Sequence, residues 1–109
     1  MGDAGFHVER DHERVTLAFT GRLDTAGTLT VREAVLERIG EVTAAQSLRF
    51  DLAAVEFVAS GFLRLCIQSV QALGSARFEV SRPTSLVHEV FVMAGLDRHL
   101  RITDAPVAG

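Results

Sequence analysis

The stretch SLRFDLAAVEFVASGFLRLCIQSVQALG, residues 47–74, decides the architecture. Leu48, Phe50 and Leu52 alternate with Arg49 and Asp51, the period of a half-buried strand. The apolar segment Val55-Glu56-Phe57-Val58 follows after what reads as a short bend. Near Ser60 the period changes: Leu63, Cys66, Ile67, Val70 and Leu73 recur at helical spacing, and Gly74 stands where a helix stop belongs. A strand that passes into a helix with almost no linker is the opening half of a strand-helix-strand unit.

Working outward, residues 6–10 and 15–19 alternate around Asp11-His12-Glu13, which predicts a β-hairpin. Gly21-Arg22-Leu23-Asp24 is read as the break that ends the second strand. Residues 25–28 offer N-cap candidates for a helix whose Val31, Val35 and Ile39 recur every four residues, with Gly40 at its expected C-cap. Beyond residue 74, Phe78 and Val80 mark a short strand. Pro83 fits the first turn of a third helix, with Leu86, Val87, Val90 and Phe91 as its stripe and Gly95 closing it. The signal weakens after Leu96, and the tail 104–109 is expected to fray. The order is hairpin, helix, strand, helix, strand, helix. Right-handed crossovers then require an α/β domain with a largely parallel sheet.

With 109 residues, 48% of them hydrophobic, the chain has the length and apolar content of one domain with one core, taken as residues 1–109 with a core of about 6–100. A net charge of −3 lacks the basic footprint of a phosphate-backbone binder, so nucleic acid is excluded as a partner, and direct membrane adhesion has no support. No apolar run approaches the roughly 20 residues of a spanning helix. The single Cys cannot form an intrachain disulfide, and no leader of secretory type opens the chain, so a reducing, cytoplasmic compartment is expected.

Three segments in this order resemble the STAS domain, the family of sulfate transporters and bacterial anti-sigma factor antagonists. Phe19-Thr20-Gly21-Arg22-Leu23-Asp24 is similar to its "L-T-G-E-L-D" segment. Phe50-Asp51-Leu52, then Val55-Glu56-Phe57-Val58-Ala59-Ser60-Gly61-Phe62-Leu63, is similar to "L-D-L…V-T-F-I-D-S-S-G-L". Pro83, Leu86, Val87, Phe91 and Ala94-Gly95-Leu96 resemble the closing "P-x-V-x-x-L-x-x-x-G-L" helix. The resemblance implies a mixed sheet of four or five strands with helices packed mainly on one side. It also implies protein binding rather than catalysis. In the antagonists the first Ser of the D-S-S-G turn is phosphorylated by a partner that is both anti-sigma factor and serine kinase, a histidine-kinase-like ATPase. That position here is Ser60. Ala59 replaces the Asp, Gly61 the second Ser and Phe62 the Gly.

A hydroxyl at the start of a helix suits two purposes: capping the free amides, or carrying a phosphate that those amides and the helix dipole tolerate. Capping is the local reading of Ser60, and phosphorylation is what the resemblance implies. A phosphate would add about −1.5 to −2 charges to the turn, enough to release a partner. The implied partner surface is Asp24, Ala59, Ser60, Gly61 and Phe62. Phe62 lies at the edge of the helical stripe, either packing at its border or standing exposed as an aromatic anchor. Asp24 reads locally as a cap or Asx turn ahead of the first helix.

His7, His12, His88 and His99 lack metal-ligand spacing, and Cys66 lies on a core face as a small buried hydrophobe, so neither metal nor cofactor is expected. A triad of Ser60, a His and Asp24 lacks the Gly-x-Ser-x-Gly elbow that would expose a nucleophile, which leaves a Ser hydrolase as the least favoured reading. Gly21-Arg22-Leu23 is no phosphate loop, and Glu33, Glu37 and Arg38 read as an ordinary solvated face. The sequence therefore points to a non-catalytic regulatory module, foremost an anti-sigma factor antagonist in a partner-switching pathway. A small cytoplasmic STAS subunit of a membrane lipid transporter is the alternative, and a stress-signalling scaffold comes third. The oligomeric state is open, a homodimer included.

Overall fold

Alternation along the strands has a direct structural counterpart in the computed structural model, which describes residues 3–106. The elements are β1 (Gly5–Arg10), β2 (Arg14–Leu23), α1 (Thr25–Gly40), β3 (Ser47–Val58), α2 (Ser60–Leu73), β4 (Phe78–Ser81), α3 (Ser85–Met93), a 3₁₀ turn (Leu96–Arg98) and β5 (Arg101–Thr103). They build a five-stranded sheet in the order β1-β2-β3-β4-β5, in which β1 is antiparallel to β2 and every other pair is parallel. The Asp11 carboxylate closes the β1-β2 hairpin by accepting from the amides of Glu13 (2.7 Å) and Arg14 (2.8 Å).

Strand register sorts the residues onto two faces. Val8, Leu17, Phe50, Val80 and Ile102 form one row across all five strands, and Val15, Leu48 and Phe78 a second. Leu17, Leu48, Phe50 and Val80 are fully buried in this face, which the helices cover. Strands that add in sequence by right-handed crossovers step in one direction, so their helices fall on the same side. The opposite face carries Thr16, Arg49, Glu79 and Arg101 in one row and Ala18, Asp51, Ser81 and Thr103 in the next.

Several elements differ from the sequence reading, each for a physical reason. The Gly21-Arg22-Leu23-Asp24 segment does not break β2 at Gly21. The strand runs on to Leu23, because Gly21 adopts a positive φ of 85° within it and the ladder resumes beyond. The bend between Leu52 and Val55 is a β-bulge inside one continuous twelve-residue strand. Ala18 pairs with Asp51 and Thr20 with Ala54, so β3 carries one extra residue, held by Asp51 Oδ1 accepting from the Ala53 amide at 3.1 Å. Asp24 rather than a residue of 25–28 caps α1, and Gly40 is its last helical residue, with Glu41 as C-cap. Pro83 precedes the N-cap Thr84 instead of occupying the first turn of α3. Within the stripe read for α3, Val87 and Phe91 are buried while Leu86 is exposed. The weak region after Leu96 holds the fifth strand. The expected tail lies outside the described residues from 107 onward, and Asp104 to Pro106 carry no regular structure.

In α2, Leu63 and Cys66 of the stripe read from the sequence are buried and Val70 and Leu73 pack against the core, but the face is wider than that stripe. The buried stripe is Phe62, Leu65, Cys66 and Ser69, with Leu63 beside it, while Ile67 is 37% exposed. A serine at a core position concealed this face. Ser69 is fully buried and its hydroxyl donates to the Leu65 carbonyl at 2.9 Å, so its polarity is satisfied within the helix. Phe62 packs edge-on against Phe19, with ring centres 5.1 Å apart, and lies 5.9 Å from Phe50, which meets Phe78 at 4.8 Å. This aromatic chain joins β2, β3, β4 and α2.

The open face is organised around Glu79, only 5% exposed. The Thr103 hydroxyl donates to Glu79 Oε2 at 2.7 Å, and Arg49, Arg101 and Arg14 stand 3.5, 3.8 and 3.9 Å from Oε1. Burial pushes the Glu79 carboxyl up, but that hydrogen bond and the arginine charges outweigh it and hold the group below its ordinary value. A carboxylate depressed in the folded state stabilises the fold above its unfolded value, and that contribution is lost as pH falls through the folded value. Urea unfolding across a pH series should therefore show wild-type stability declining below the ordinary carboxylate range near 4.5. The Glu79→Gln variant should be destabilised by about 1–3 kcal/mol at neutral pH, with a flatter acid limb.

Candidate functional site

The candidate site grows from the last rungs of the β2-β3 ladder. Arg22 pairs with Phe57 and Leu23 with Val58, so the loops that follow leave the sheet side by side at the carboxyl ends of their strands. The Ala59 amide donates to the Leu23 carbonyl at 2.8 Å and ties the two loops together. Asp24 then starts α1, accepting from the Gly27 amide through Oδ1 at 2.8 Å, the cap that its local reading predicts. Its Oδ2 lies 4.0 Å from Arg22 Nε, and the Arg22 guanidinium sits 5.1 Å from the centre of the Phe57 ring.

Ala59, not Ser60, is the N-cap of α2, and it makes no side-chain capping bond. The capping reading of Ser60 is thereby corrected: Ser60 is the first helical residue, and its hydroxyl is exposed. The first amides bonded back into the helix are those of Phe62 and Leu63, both to the Ala59 carbonyl, at 3.0 and 3.3 Å. The amides of Ser60 and Gly61 thus stand at an uncapped helix start with no acidic residue in the first turn. Phe62 is also corrected as an exposed anchor. Its side chain is fully buried against Phe19 and Phe50, one helical position past the surface. Of the five residues read as a partner surface, Ala59, Ser60 and Gly61 form one rim at the start of α2, the Asp24 side chain lines a separate hollow with Arg22, Ala26, Gly27 and Thr30, and the Phe62 ring is buried.

Beside this rim α1 and α2 enclose a cleft of about 220 Å³, lined by Thr25, Thr28, Leu29, Arg32, Ser60, Gly61, Arg64 and Gln68. Residues 25, 28, 29 and 32 share one face of α1, and 60, 64 and 68 one face of α2. The α1 residues and Arg64 were not legible as site residues, because which helix faces meet is a tertiary fact. Thr28 is the seam. It is buried, its hydroxyl donates to the Leu23 carbonyl at 3.2 Å, and its methyl would touch a Cβ at Gly61 at 3.6 Å. Leu29, on the cleft wall, is 68% exposed.

No histidine lines the cleft. Cys66 is fully buried in α2, where burial pushes its thiol far up and leaves it inert. Among the described residues, no group of three or more His, Cys, Asp or Glu could hold a metal ion, and no helix is long and apolar enough to cross a membrane.

A family model described as "Mlab, STAS domain" matches residues 6–103, and the chain belongs to this STAS-domain family. Among solved structures, it is similar to an anti-sigma factor antagonist from Mycobacterium paratuberculosis at 20% identity and a TM-score of 0.82, covering 93% of this chain and 86% of the other. A STAS-domain anti-sigma factor antagonist from Planctomyces limnophilus follows at 16% identity and 0.80, covering 90% and 88%. The Bacillus cell fate determinant SpoIIAA in its phosphorylated form is similar at 19% identity and 0.65, covering 94% and 92%. These likenesses show a shared fold. Among curated proteins there is no match.

The close approach at the rim has a measurable consequence. A Cβ on Gly27 would collide with the Arg22 carbonyl oxygen, which backbone cannot clear, whereas one on Gly61 meets only ordinary contact. Gly27→Ala should lower stability by about 1–3 kcal/mol, while Gly61→Ala should leave it within about 0.5 kcal/mol, as thermal unfolding will read. The same measurement should give a loss of about 3–5 kcal/mol for Phe62→Ala, the cost of emptying a core site.

Proposed function

We propose that this STAS-domain protein is a non-catalytic regulatory binding module, an anti-sigma factor antagonist in a partner-switching pathway, with Ser60 as its phosphoacceptor. The observation that carries the reading is the state of Ser60: an exposed residue at the first position of α2, free of capping duty, opening on the cleft between α1 and α2. A core or capping serine would have to leave its bonds before a kinase could reach it. This one does not. The fold it shares with anti-sigma factor antagonists, one of them in a phosphorylated form, adds support.

Transfer to Ser60 would form a P–O bond at Oγ and break the bond between the ATP γ-phosphorus and its bridging oxygen. ADP leaves, and the hydroxyl proton passes to a base of the kinase. The added charge of about −1.5 to −2 sits on the rim that a partner covers, where desolvating it is costly, so the phosphorylated form is released. The partner this implies is an anti-sigma factor that is also a serine kinase of the histidine-kinase-like ATPase type. Against a hydrolase stand the histidine-free cleft and the Asp24 carboxylate, which is committed to the Gly27 amide.

A second reading, a constitutive STAS subunit of a membrane lipid transporter, is favoured by Ala59, which removes the carboxylate that the resemblance expects beside the acceptor. The two separate on charge at position 60. With wild-type, Ser60→Ala and Ser60→Glu proteins as baits, the switch predicts capture of a kinase-type ATPase by the first two and at least a tenfold loss with Ser60→Glu. Equal recovery of a transporter component on all three baits would overturn the switch in favour of the constitutive subunit.

A further inference from the structure

Most arginines around the sheet are committed. Arg14, Arg49 and Arg101 surround Glu79, Arg82 pairs with Asp51, Arg38 with Glu41, and Arg77 donates to the carbonyls of Thr43 and Gln46. Arg32 and Arg64 differ from these and, through their place in the cleft, from the similarly unpaired Arg10 and Arg98. Among the described residues neither makes an ion pair or a side-chain hydrogen bond, and both line the cleft on which Ser60 opens. No Asp or Glu lines that cleft. Two uncompensated cations therefore share a small concavity with one exposed hydroxyl, in a chain whose net charge is −3.

Their placement follows from the topology. Arg64 is four residues after Ser60 on α2, so the two side chains are neighbours on one helix face. Arg32 is four residues after Thr28, whose methyl packs toward Gly61, so it stands at the same level on α1. Both helices follow the carboxyl ends of parallel strands and run in the same direction. Long side chains on a helix lean toward its N-terminus, a direction that favours reach of both guanidinium groups to the Ser60 end of the cleft they line.

We propose that Arg32 and Arg64 form a two-arm clamp for a phosphate monoester on Ser60, so that the modified residue is held against α1 and α2 instead of projecting into solvent. The proposal rests on the reading of Ser60 as phosphoacceptor and adds what receives the phosphate. Guanidinium groups bind phosphate oxygens through paired N–H donors, and one arm from each helix lets the phosphate bridge them. Phosphorylation then takes the cleft from two positive charges to about zero, which alters the surface beyond the single residue modified.

The test needs no partner protein. Phosphoserine is installed at position 60 of the full chain during expression, and its second ionisation is followed by ³¹P NMR from pH 4 to 8. The ordinary midpoint of that step is about 6, and nearby cations lower it. The folded protein should titrate at least about half a unit below the same protein unfolded in urea. Arg32→Ala combined with Arg64→Ala should return the midpoint to within about 0.2 units of the unfolded value, and the corresponding double Lys variant should keep part of the shift. Both arginines are exposed, and circular dichroism of the double variants will verify their fold. A midpoint that matches the unfolded protein, or one that stays depressed in the double Ala variant, overturns the clamp. A depressed midpoint combined with undiminished partner capture by Ser60→Glu would keep the clamp and reject the switch. The converse result would keep the switch and reject the clamp.

Discussion

The parallel pairing of β2 with β3 is the constraint on which the rest of the molecule depends. It runs from Arg14 opposite Ser47 to Leu23 opposite Val58, and the amide of Ala59 extends it by one further bond to Leu23. Because side chains alternate strictly along a strand, this register sends Leu17 and Phe50 to the helix-covered face and Thr16 and Arg49 to the open one. It also determines where the two strands stop. They end together, so the α1 and α2 starts are neighbours along one rim, joined by the Ala59 amide on the Leu23 carbonyl. A slip of one residue would separate that rim and expose the aromatic row at once.

Packing and charge divide the work between the two faces. The helix-covered face is held by aromatic contacts, with Phe62 reaching from α2 to Phe19 and Phe50 on the sheet. The open face is held by one nearly buried carboxylate, Glu79, among three arginines and Thr103. A buried carboxylate is tolerated only when it is fully partnered, and the strand register supplies those partners. The cleft at the other end of the strands has the opposite character, with cations that have no acidic partner beside it. An interior site with that imbalance would be costly. At an exposed rim it is inexpensive and leaves capacity for an anion.

The differences between sequence reading and structure share a cause. Ser69 is polar by composition yet fully buried, because an intrahelical bond to Leu65 satisfies its hydroxyl, and its polarity kept it out of the apparent apolar stripe of α2. Gly21 looks like a strand breaker, but its positive φ is accommodated within β2. The pair Ala53-Ala54 interrupts the alternation of β3 without interrupting the strand, because the Asp51 carboxylate stabilises a bulge there. In each case a local bond or backbone conformation that composition does not reveal overrode the simple period. β5 escaped notice because three residues carry too little alternation to stand out.

The resemblance to the STAS domain singled out Ser60, and the sequence periods and turn chemistry alone supplied the α/β class, the hairpin, the order and spacing of the three helices and the capping role of Asp24. These depend on contacts between residues a few positions apart, where period and turn chemistry are legible. Tertiary structure alone decided that Phe62 faces inward, that Ser60 is left free by Ala59, and that Arg32 of α1 and Arg64 of α2 open on the same cleft as that serine. Residues 32 and 64 meet because two parallel strands end level and place their helices side by side. That relation is set by long-range hydrogen bonds and the packing of Thr28 toward Gly61, and a linear pattern does not contain it.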